Sequence, residues 1–258
     1  MTSTSDRRER AARSGPGDRW FTTCIALVAL ALACFAFLPS LIEPSGRNVP
    51  LPMTPLVAVH TFVAAAWLTL FLVQTTLVAT RRVALHRRLG LLGAMLGLTF
   101  VATSYFTVVE QARRGFDLSG DLLPLPLPAD ADVLGPTVGA LFLVATFCIL
   151  FGAALLYRSR PPVHKRLMLF AVIGGLTNTP LTHMIGHWQI PFDWGVLILV
   201  GGLIFLIALV GVHDRISEGR IHPVTCWVGS LVFVSQFVFF LVIMPSPAWQ
   251  QFSMWLIR

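Results

Sequence analysis

The sequence predicts an all-α, polytopic transmembrane bundle of seven spans, and three observations carry that expectation. Hydrophobic residues make up 55% of the chain and charged ones 12%, with a mean hydropathy of +0.76. A soluble domain carries about 25% charged residues, so a water-facing surface cannot be built here. Several apolar runs reach the roughly 20 residues needed to cross a hydrocarbon core of about 30 Å. The basic residues, finally, gather in alternate connections between those runs, which is the pattern of topology and not of nucleic-acid binding.

Residues 1–18 are polar, rich in Arg, Ser and Gly, and lack apolar periodicity; they read as a disordered basic cytoplasmic tail before a single transmembrane domain over 19–258. The first span, 20–38, is longer than a secretory h-region and meets no small-x-small cleavage site before Pro39, so it reads as an uncleaved helix. Further spans follow at 55–80, 89–111, 136–157, 167–188, 194–212 and 223–244. Short basic loops alternate with longer connections such as 115–135, where Pro124, Pro126 and Pro128 stop the helices. With the N-terminus inside, one side holds Arg7, Arg8, Arg10, Arg13, Arg19, Arg81, Arg82, Arg87, Arg88, Arg158, Arg160, Lys165, Arg166, Arg215 and Arg220. The other side holds Arg47, Arg113, Arg114 and Arg258. That bias predicts an N-in, C-out protein. Cys24, Cys34, Cys148 and Cys226 form no CxxC pair and read as small buried apolar residues.

Two corners repeat 78 residues apart: His86-Arg87-Arg88-Leu89 matches His164-Lys165-Arg166-Leu167, and Gly97-Leu98-Thr99 matches Gly175-Leu176-Thr177. Two spans separate the copies, so the second and third spans relate to the fourth and fifth by a parallel duplication. The corner Leu85-His86-Arg87-Arg88-Leu89-Gly90, preceded by His60, Trp67 and Gln74 on the second span, resembles a broad group of uncharacterised bacterial multi-pass membrane proteins. The resemblance covers the second to fifth spans and implies a protein of the bacterial cytoplasmic (inner) membrane, with no activity attached.

Ionisable and polar groups within spans are costly and mark candidate sites. On the second span His60, Ala64, Trp67, Phe71, Gln74 and Arg81 recur at helical spacing, a stripe that faces other helices. The fifth span ends with Asn178, Pro180, His183 and His187; the two histidines are four apart and share a face. Pro180 frees a carbonyl that neighbouring polar groups must satisfy. In the predicted topology His60 and His183 both sit roughly 7 Å deep in the outer leaflet at 1.5 Å per residue, with Glu110 near them. Three imidazoles and a carboxylate suit zinc, copper or iron, and a haem b iron takes one histidine from each of two helices. Interhelical hydrogen bonding is the plain alternative.

His86 and His164 lie among arginines at the opposite surface. They read as helix-start residues or, related by the repeat, as the two ligands of a second haem. His213 and His222 read as solvated. Gly90, Gly93 and Gly97 speak for close helix packing, and Gln236 for a hydrogen bond between helices. The one lysine, Lys165, lies in a loop, which excludes a retinal Schiff base within a span, and no P-loop, dinucleotide fingerprint, nucleophile elbow or HExxH occurs.

Three functional readings follow. The leading one is a redox or metal-dependent protein that uses His60, His183 and His187, with Glu110, to pass electrons between a quinone and a periplasmic partner. The second is a small-solute transporter whose path is lined by His60, Gln74, Glu110 and Asn178 near the Pro180 break. The third is an assembly subunit embedded in the bilayer without a site of its own. A zinc hydrolase is conceivable from the histidine spacing, but no serine and aspartate pair accompanies it.

Overall fold

The computed structural model describes residues 16–42, 54–114, 134–188 and 190–258, with the backbone alone for 16–18, 39–42, 187 and 192. Among the described residues the chain is helical without strands, and seven helical stretches are long and apolar enough to cross a membrane. It is a multi-pass membrane protein. The elements are α1 (Pro16–Ile42), α2 (Pro55–Ala79), α3 (Val83–Arg114), α4 (Leu134–Leu156), α5 (Pro161–Gly175), α6 (Asn178–His187), α7 (Phe192–Glu218), α8 (Pro223–Val238), a π-helical turn at Phe239–Ile243, and α9 (Pro247–Leu256). Most of the expected tail, 1–15, lies outside the described residues; α1 begins at Pro16, inside the stretch expected to be irregular.

Proline in the first turn opens α2, α5, α8 and α9, where its missing N–H is an orphan in any case. Side chains of Thr54, His222 and Ser246 cap three of these starts. The α2–α3 corner closes as a Schellman turn: Arg82 N–H reaches Leu77 O at 2.7 Å and Arg81 N–H reaches Val78 O at 3.0 Å. This puts Arg81 at φ 62°, where glycine is the usual occupant.

The two hairpins match at the spacing of the sequence repeat. α3 begins at Val83 and α5 at Pro161, 78 residues on, while α2 and α4 bound the preceding limbs at nearly the same spacing. Both starts are built alike, with His86 N–H on Arg82 O at 3.1 Å and His164 N–H on Arg160 O at 3.0 Å. α4 lies between α3 and α5, and α5 in turn meets α7 and α8. It is the central helix: Leu169 to Ile173 are 0–1% exposed.

With no water to expel from lipid, such helices associate through close packing. Gly97 and Gly175 make it possible. A Cβ on Gly97 would lie 2.4 Å from Phe151 Cζ, and one on Gly175 2.5 Å from Phe147 Cβ and 2.9 Å from its Cα. Trp67 completes the seam, packing against Phe71, Phe100, Phe147 and Phe151.

Several helix limits move from their expected places. α3 starts six residues before the expected 89, because its arginine-bearing first turns are helical although they are too polar for the core. α7 runs on to Glu218, beyond the expected 212, because its last turns are held by Arg166. The fifth span is two helices, and the π-turn and the short α9 follow the seventh. The four cysteines are exposed on the bundle's outer face, contrary to the expectation of burial; in lipid a small apolar thiol needs no protein cover.

Candidate functional site at the broken fifth span

Between Gly175 and Asn178 the fifth span loses its regular ladder. Leu176 and Thr177 both direct their N–H groups at Val172 O, at 3.0 and 3.2 Å, and Pro180 has no N–H to offer the Leu176 carbonyl. Free carbonyls in a bilayer core cost several kcal/mol each unless something else donates to them. Here side chains do so. Thr177 Oγ1 donates to Ile173 O at 2.6 Å, Gln236 Nε2 to Gly174 O at 2.7 Å, and Asn178 Nδ2 to Gln236 Oε1 at 2.7 Å. Thr177, Asn178 and Gln236 are 4–7% exposed.

Gln236 stands just before the π-turn at Phe239–Ile243, so two irregular helices meet through one buried amide pair. π-turns inside helices recur at functional sites. The first residue of this one, Phe239, stacks on Phe142 at 4.2 Å and meets Trp249 of α9 edge-on at 4.9 Å. Trp249 Nε1 donates to Gly135 O at 3.1 Å, pinning α9 to the start of α4.

A second polar assembly lies at the end of the bundle that carries the basic corners. Arg166, 3% exposed, reaches Asp214 through Nε and Nη2 at 3.2 and 2.5 Å, Glu218 through Nη2 at 2.5 Å, and Pro162 O through Nη1 at 2.9 Å. Thr225 Oγ1 and His222 N–H donate to Asp214 Oδ2 at 2.5 and 3.2 Å. One guanidinium thus ties α5, α7 and the start of α8 together. Bidentate pairing of this kind uses the planar fork that lysine lacks.

Sequence reasoning placed Arg166 among the loop charges that set topology; it is instead a buried ion-pair partner. Asp214 and Glu218 carried the signal, since they are four apart and share a helix face beyond an apolar run. His222 and His213 are likewise not simply solvated. His222 Nδ1 accepts the Val224 N–H at 3.1 Å as the cap of α8, and His213 stacks on Phe21 at 3.8 Å. Burial first, and the Arg166 guanidinium second, hold His222 below the ordinary histidine pKa.

The histidines expected to share one site have separate neighbours. His60 Nδ1 meets Thr103 Oγ1 at 3.3 Å and its ring lies over Phe100; His183 is 1% exposed with its ring against Phe37 at 4.6 Å. Glu110 is half-buried on α3, and the His187 side chain lies outside the described atoms. Among the described residues no three His, Cys, Asp or Glu side chains converge on a point where a metal ion would bind. Of the residues expected to line a solute path, His60, Gln74, Glu110 and Asn178, the last is hydrogen-bonded to Gln236. His86 and His164, in contrast, do come together, with ring centroids 6.5 Å apart.

Over 170 aligned residues the chain is 26% identical to one component of a probable K(+)/H(+) antiporter of Rhizobium meliloti (strain 1021). The alignment takes in 57% of this chain and spans only 31% of that protein's length. No known family's sequence profile matches the chain, and no solved structure matches it.

Proposed function

We propose that this chain is a membrane-embedded transport protein, or the transport-competent part of a larger assembly, that moves a small cation or protons. The carrying observation is the amide pair Asn178–Gln236 at the junction of a broken and a π-distorted helix. Unwound backbone between half-helices is where transporters place carbonyl oxygens for cations. Gly174 and Asn178 lie eight and twelve residues beyond Arg166, so at 1.5 Å per residue they sit about 12–18 Å further in, near the middle of a core about 30 Å thick. The likeness to an antiporter component supports the same class.

The Arg166 assembly fits this reading as a latch that closes the basic end between α5, α7 and α8. Every charge in it is paired, so it holds shape and does not offer a vacant ligand position. The basic bias of that end argues for N-in, C-out insertion in a bacterial inner membrane. The quinone-linked redox reading has less in its favour, since His60 and His183 have different partners and the likeness is to an antiporter component.

Reconstitution into liposomes with a trapped pH dye tests the proposal. Pulses of K⁺ or Na⁺ are expected to move protons in wild-type vesicles. Gln236→Leu is expected to slow the response about 10-fold, equal to about 1.4 kcal/mol in the barrier. Folded wild-type protein that moves neither protons nor cations would sink the proposal, as would a Gln236→Leu variant with undiminished flux.

A further inference from the structure

The bundle's basic end carries a feature that neither the latch nor the broken span uses. His86 and His164 are the fourth residues of α3 and α5, brought together by the duplicated hairpins with their rings 6.5 Å apart and 71° between planes. The His164 ring is oriented by a backbone carbonyl of its own hairpin. His164 Nδ1 lies 2.7 Å from Ala154 O; a carbonyl only accepts, so that nitrogen carries the proton of the neutral ring and Nε2 keeps a bare lone pair. The buried Nδ1 of His86 has no hydrogen-bond partner. Gln74 contributes a second buried atom without a partner, its side-chain Oε1.

Orienting one imidazole nitrogen on a carbonyl so that the other is free is the standard outer-shell arrangement of metal-binding histidines. The spacing agrees. With metal–nitrogen bonds of about 2.0–2.1 Å, two imidazoles on opposite sides of one ion have centroids roughly 6 Å apart. A buried bare nitrogen in a protein interior needs a reason, and a ligated ion supplies one.

We infer that His86 and His164 are the paired imidazole ligands of one transition-metal ion at the basic end of the bundle. Imidazole suits zinc, copper and iron. The ion's source is either a free divalent metal or the iron of a haem. Arg87 bears electrostatically on His86 and disfavours a bare dication there; a haem brings two carboxylates to neighbouring guanidiniums. This inference stands apart from the transport reading, and neither depends on the other.

The test uses the full chain in detergent. One sample is equilibrated with Zn²⁺ and assayed by dialysis and elemental analysis; a second is titrated with haemin and followed in the Soret region. Uptake of one equivalent of Zn²⁺, or a low-spin bis-imidazole haem spectrum, supports the inference and says which source applies. In either case His86→Ala and His164→Ala should each weaken binding at least 10-fold, while His60→Ala keeps it. His86→Gln, closer in size, serves with a thermal melt to separate lost binding from lost fold. Binding that is equal in wild type and both histidine variants, or folded wild type that takes up neither zinc nor haem, overturns it.

Discussion

The two hairpins of the repeat begin alike and end differently. Thr99 and Thr177 occupy matching positions, and each hydroxyl bonds back one turn, to Met95 O at 3.0 Å and to Ile173 O at 2.6 Å. One residue later the copies part. In the first, Phe100 meets Phe147 edge-on in the aromatic seam at 5.2 Å, and α3 runs unbroken for 32 residues. In the second, the matching residue is Asn178, the match to Ala102 is Pro180, and the helix stops after 15 residues. A similar split separates Arg88, exposed at the surface, from its counterpart Arg166, buried in a four-residue polar network. One copy continues as a regular helix; the other is broken and polar at the matching positions.

The largest expected effect comes from the arginine pair. Arg166→Ala strands Asp214 in a buried setting and should cost about 3–5 kcal/mol of stability, whereas Arg88→Ala should change it by less than about 0.5 kcal/mol. Denaturation in matched detergent reads both, and equal losses would erase the contrast between the copies. Replacing Arg166 and Asp214 together by Met and Leu should recover most of the loss if unpaired charge is the cause.

Packing of the two glycines gives the next effect. Gly175→Ala should destabilise by about 1–3 kcal/mol, because the added Cβ meets the Phe147 backbone. Gly97→Ala should cost less, since it meets the rim of the Phe151 ring, which can turn aside. Thermal melts of the two variants would show whether that order holds.

The smallest effect is a pH dependence at the cap of α8. His222 caps α8 through a bare Nδ1, and its pKa is depressed in the folded state. The unfolded ring therefore binds protons more readily. The cap's contribution is fully present above the unfolded value of about 6.5 and is lost as pH falls below it toward the folded pKa. Hydrogen-exchange protection at the start of α8 should fall as pH drops below about 6.5, with no comparable change at the start of α2, which the non-titrating Thr54 caps. A His222→Asn variant, which caps without titrating, should flatten that response.

Most of the fold was legible because lipid leaves few choices. A run of about 20 apolar residues must be a helix to satisfy its backbone, and the 78-residue repeat located both hairpins in advance of their geometry. What stayed hidden depended on side chains meeting across the bundle. Arg166 reads as a loop charge until α7 is seen to continue to Glu218, and Gln236 reads as one end of an interhelical hydrogen bond whose partner, Asn178, only the structure names. His60 and His183 were grouped by their expected depth in the bilayer, and depth does not say which way a ring points around the helix. His60 and His183 accordingly have different neighbours, while His86 and His164, related by the repeat, do meet.

The central claim is that the second copy's break is the transport site, and the most direct measurement is to convert it into the first. Asn178→Phe with Pro180→Ala rewrites the break in the residues of the unbroken helix. Cation-driven proton movement in liposomes is then compared with wild type at equal folded protein. The account predicts a bundle that melts as a folded protein but whose flux falls to the level of empty vesicles; wild-type flux through the mended helix would contradict it.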